Sequence, residues 1–107
     1  MFPESVAAGL RATRTAEDPF NAWYSLAGLY AVENDAAGAE KSLRAAIAAN
    51  PNWFKPHWAL AQLLQLENRT GDAVREASLA AELNAGKNPE VAHTLREIRD
   101  RSALLKR

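Results

Sequence analysis

The chain contains no cysteine. That absence excludes a disulfide framework, a thiol nucleophile, a CxxC redox pair and thiolate-held zinc or iron–sulfur centres. Charge of one sign is also lacking: 13 Lys+Arg stand against 13 Asp+Glu, for a formal net charge of +0. A general nucleic-acid binder needs a basic surplus, so the composition argues against that class. No apolar run approaches the roughly 18 residues of a membrane span, and the N-terminus shows no signal-peptide core. Glycine is scarce, at 5 residues. No glycine-rich loop is placed to cradle phosphate, and no G-x-S-x-G carries a serine nucleophile. What remains is 107 residues, 48% hydrophobic and 24% charged. That suits one small globular domain rather than a disordered chain. The 23 alanines, set against few Val, Ile, Phe and Tyr, favour closely packed helices over sheet.

An internal period organises the chain. At an offset of 34 residues Leu26 falls on Leu60, Ala27 on Ala61, Asn34 on Asn68, Ala39 on Ala73 and Ala46 on Ala80. The spacing predicts one domain over 1–107: a packing helix at 3–16, repeats at 20–53 and 54–87, and a terminal capping helix at 88–105. Each repeat reads as two helices. Trp23, Leu26, Ala27 and Tyr30 recur as one helical face, and Ala39, Leu43, Ala46 and Ile47 form a second. Asp18-Pro19 is a start signal, Asn34-Asp35 breaks the run, and Asn50-Pro51 stops the second helix. In the second repeat Asn52 and Thr70 are the expected caps, and Gly86 the expected left-handed C-cap. Leu60, Ala61 and Leu64 supply one stripe, and Ala73, Ala77 and Ala80 the other. Val91, Leu95, Ile98 and Leu105 line the terminal helix, and Val6, Leu10 and Thr13 the first one.

The run Trp23-x2-Leu26-Ala27-x2-Tyr30, then Ala39-x3-Leu43, Ala46 and Pro51 resembles the tetratricopeptide repeat, W-x2-L-G-x2-Y, A-x3-F and P on a 34-residue period. In the second repeat His57, Leu64, Ala77 and Ala85 replace Trp23, Tyr30, Leu43 and Pro51. The resemblance implies an all-α, right-handed stack of antiparallel helix pairs, two repeats plus flanking helices. It also implies a non-catalytic protein–protein interaction or scaffolding module. The carboxylate-clamp version of the family carries asparagine and lysine where Ser25, Gly28 and Ala59 stand here. The stretch Asn50-Pro-Asn-Trp-Phe-Lys-Pro-His-Trp-Ala-Leu-Ala61 also looks like repeats in the soluble tails of bacterial O-antigen ligase/polymerase membrane proteins. That second resemblance implies an accessory domain tethered to a bacterial inner-membrane protein.

No residues assemble a reaction centre by sequence. His57 and His93 lack the partners of a metal site, and His57 takes the place of a core aromatic, so packing is its expected role. Glu76, Glu82, Glu90 and Glu97 read as solvated helix faces. No catalytic residue, cofactor or metal is expected. Binding is a different matter. First-helix residues that point away from the second helices repeat by 34, so they line up on the concave side of a stack. This selects Asn21 and Tyr24, then Lys55, Trp58, Gln62 and Gln65, then Arg96 and Arg99 as a groove for a peptide or a neighbouring domain. Trp23 is expected in the core, and Trp53 and Phe54 at the junction between repeats. Trp58 lies off the Leu60–Leu64 stripe and is expected on the surface. Residues 87–107 hold six basic and three acidic side chains. An acidic peptide, a neighbouring domain or anionic lipid headgroups would suit that end.

Overall fold

The computed structural model describes residues 19–105. The helix expected over 3–16 and the Asp18 cap lie outside them. Five helices follow in order: α1 (Pro19–Val32), α2 (Ala36–Ala49), α3 (Phe54–Leu66), α4 (Thr70–Asn84) and α5 (Pro89–Leu105). No strand occurs among the described residues. The chain divides into two compact units between Pro51 and Asn52. The first holds the α1–α2 hairpin, and the second holds the α3–α4 hairpin with α5 packed chiefly on α4.

Alanine sets the spacing of both hairpins. Ala27, Ala39 and Ala46 in the first, and Ala61, Ala73 and Ala80 in the second, are all 4% exposed or less. A methyl group at those places lets the helix backbones approach closely, and the larger Leu26, Leu43, Leu60 and Leu64 fill the space beside them. Tyr30 shows how tight the first hairpin is. A Cβ added at Gly38 would stand 2.5 Å from its ring, so any other residue there has to displace the tyrosine.

The two hairpin turns are built alike. Asn34 and Asn68 both adopt left-handed backbone, at φ 58 and 61. Asparagine tolerates that region better than most side chains. The next residue folds back in each case: Asp35 N–H donates to the Tyr30 carbonyl and Arg69 N–H to the Leu64 carbonyl, both at 2.9 Å. These bonds occupy carbonyls that a helix end otherwise leaves open. Asp35 does one thing more. Its side chain accepts from Gly38 N–H at 2.9 Å and caps α2.

Three expected caps fall elsewhere. Trp53, not Asn52, is the boundary residue of α3, and it makes no side-chain cap bond. Thr70 is the first residue of α4, with Arg69 at the boundary and no side-chain cap. Helix α4 ends on Ala85 in left-handed backbone, φ 55, with Gly86 following at φ 76. The helix simply ran one residue less than the glycine suggested. Asn84 is buried, and its Oδ1 accepts from Asn88 N–H at 2.8 Å, which ties the α4–α5 connection down. Of the expected terminal stripe, Val91 and Ile98 are buried and Leu95 is half-buried. The Leu105 side chain lies outside the described set.

Candidate functional site

Asn21 and Tyr24 belong to the first unit; Asn21 is exposed and Tyr24 half-buried. Lys55, Trp58, Gln62, Gln65, Arg96 and Arg99 belong to the second. There, Trp58, Gln62 and Gln65 follow the i, i+4, i+7 rhythm of one face of α3. Lys55 and Gln62 are exposed, and Gln65 is half-buried. Arg96 and Arg99, three apart on α5, are both exposed.

Trp58 is more constrained than a surface residue. It is half-buried, and its Nε1–H donates to Thr94 Oγ1 of α5 at 2.9 Å. Thr94 is 8% exposed, and its own hydroxyl donates to the Glu90 carbonyl at 2.9 Å. The hydroxyl thus accepts from one helix and donates within the other. The Phe54 ring lies 6.3 Å from Trp58 between centroids, tilted by 31°. Trp23, expected in the core, is also only half-buried. The core of the first hairpin is carried instead by Leu26, Ala27, Tyr30, Ala39, Leu43 and Ala46.

His57 is buried, unlike Trp23 at the same register position, and it does more than pack. Its Nδ1 stands 2.6 Å from Glu76 Oε2, with side-chain exposures of 7% and 14%. Glu76 is therefore no solvated carboxylate; it satisfies a buried imidazole across α3 and α4. His93 and Glu97 pair at 2.7 Å on the open surface of α5, where an ion pair contributes little. Among the described residues no group of three His, Cys, Asp or Glu is placed to hold a metal ion. No helix there is long and apolar enough to cross a membrane. A shallow cleft of about 400 Å³ opens beside Gln65 of α3 and Leu104 of α5.

Two residues of this region escape a sequence reading that looks only at stripes. Thr94 stands at the register position of Leu26 and Leu60, and a hydroxyl in a buried leucine position signals a hydrogen-bond partner. Glu76 stands at the position of buried Ser42, which marks that place as facing the helix pair.

No protein-family model matches the chain. No curated protein matches it either. Among solved structures, the crystal structure of MamA is similar at a TM-score of 0.81 and 13% identity. The likeness covers 92% of this chain and 57% of that one, so the chain spans little more than half of MamA's length. At this identity the likeness concerns fold. Together with the paired helices, the repeated turns and the alanine register, it gives the chain an all-α helical-repeat fold of the tetratricopeptide type.

Proposed function

We propose that this chain is a non-catalytic interaction module that offers first-helix side chains to a protein or peptide partner carrying acidic residues. The observation that carries the reading is the exposure of Arg96 and Arg99 on α5 together with a half-buried tryptophan on α3. Aromatic and arginine side chains are the usual anchors of recognition. A tryptophan gives contact area at low entropy cost, and a guanidinium binds carboxylate through two parallel hydrogen bonds. Lys55, Gln62 and Gln65 complete the proposed surface within the second unit. A membrane-anchored ligase or polymerase carrying this segment as an accessory domain is the second reading. It rests on the stretch from Asn50 to Ala61, and a polytopic segment encoded upstream of Met1 is its test.

The binding test uses a capped acidic decapeptide with one phenylalanine among aspartates and glutamates, followed by fluorescence anisotropy. Saturable binding that weakens with added salt is expected, because exposed charges are screened. The double variant Arg96→Glu, Arg99→Glu should weaken it by about tenfold or more with an unchanged melting temperature. Binding that ignores the charge reversal, or no saturable binding at low salt, overturns the acidic-partner reading.

A further inference from the structure

We infer that Thr94 is a positioning residue for Trp58, and that α5 is thereby a working part of the binding surface and more than a cover for α4. The inference rests on the interaction-module reading for its functional half and on geometry alone for its structural half.

An indole on a helix surface ordinarily samples several rotamers, and a partner that fixes it must oppose that freedom. Here the freedom is already removed. The polar edge of Trp58 is bound to Thr94 Oγ1 at 2.9 Å. Phe54, one turn earlier on α3, leans on the ring at a 31° tilt. The exposed part of the half-buried indole is what a partner meets, held in one orientation before the partner arrives. Thr94 can act this way because its hydroxyl is itself anchored on the Glu90 carbonyl, at 2.9 Å, and sits in a position only 8% exposed. A valine there would keep the shape and lose both bonds. It would leave the indole N–H without its partner, and Trp58 would be free to turn.

This use of α5 also accounts for an irregularity of the repeat. The register puts leucine at the Thr94 position in both preceding first helices, Leu26 and Leu60, each 0% exposed. A third leucine would bury more apolar area. Threonine gives that up and accepts a hydrogen bond from the Trp58 indole of α3.

The test uses the full 107-residue chain and needs no ligand for its first part. The indole N–H signal of Trp58 is assigned by its loss in Trp58→Phe. In the wild type that proton should exchange with water more slowly than a free indole. In Thr94→Val it should move upfield and exchange about tenfold faster, and Thr94→Ser should restore both. A Trp58 signal that exchanges like free indole in the wild type, or that is unchanged in Thr94→Val, overturns the assignment even if the variant loses stability. The second part titrates the same acidic peptide. Thr94→Val should raise its Kd by about three- to tenfold, the range expected for one hydrogen bond, with Thr94→Ser close to wild type. An unchanged Kd beside a shifted indole signal means that Thr94 orients Trp58 without serving recognition, and it overturns the functional half. If the wild-type chain ignores the peptide, the acidic-partner reading fails, and the indole signals alone decide on Thr94.

Discussion

The α1–α2 and α3–α4 hairpins share a register and a turn, yet they fill their interiors differently. In the first, Tyr30 is accommodated by Gly38, whose missing Cβ leaves room for the ring. In the second, the same two positions hold Leu64 and Asp72, and no glycine is needed. In the first, the register pairs Trp23 with Ser42; in the second, it pairs His57 with Glu76, which meet at 2.6 Å. Leu43 becomes Ala77, and both are buried. The backbone is therefore conserved by the alanine positions and the left-handed asparagine. The remaining core is solved twice, once by size complementarity and once by a buried hydrogen bond. Core volume has to be filled and buried polar groups have to be paired, but neither rule dictates which side chain does it.

Breaking the shared part of that comparison should have the largest effect. Leu26→Ala and Leu60→Ala each empty a fully buried site in the same register place. Each should cost about 2–5 kcal/mol, measured by chemical denaturation. Costs that differ widely would show that the two hairpins do not share one packing scheme. Glu76→Ala should come next, at about 1.5–3 kcal/mol, because it strands a buried imidazole. Transplanting the first solution, His57→Trp with Glu76→Ser, should recover part of that loss; a double variant no better than Glu76→Ala would show that the two pairs are not interchangeable. Gly38→Ala should cost about 1–3 kcal/mol through overpacking against Tyr30. Adding Tyr30→Leu, the residue of the second hairpin, should relieve most of it. The smallest effects belong to the helix ends. Asp35→Ala should lose about 1 kcal/mol with its cap. Ala85→Gly should raise stability by roughly 0.5–1 kcal/mol, since glycine adopts left-handed backbone without the Cβ penalty. A thermal melt that falls for Ala85→Gly would mean that the alanine methyl has a contact worth more than the strain.

The sequence alone determined the helices, the period and the small-residue register, because these depend on local rules. A 3.6-residue rhythm of Leu and Ala needs no knowledge of what it packs against. Asn-Asp and Asn-Pro breaks act within a few residues. Even the hairpin turns were marked by Asn34 and Asn68 recurring at the same offset, although their left-handed backbone was not. The helix ends were less legible: Asn52, Thr70 and Gly86 are all competent caps, and the choice among neighbours depends on where tertiary packing stops each helix. The site was least legible. Trp58 is apolar with one polar atom, and nothing in its own neighbourhood says where that atom goes. Its partner, Thr94, lies 36 residues away and reads locally as an ordinary helix threonine. Glu76 reads as solvated for the same reason until His57 is brought across from the other helix. Hydrogen bonds between side chains require both partners to be placed within about 3 Å. That placement is decided when the helices dock, and it was the tertiary structure that turned a threonine, a tryptophan and a glutamate into parts of a site and a core.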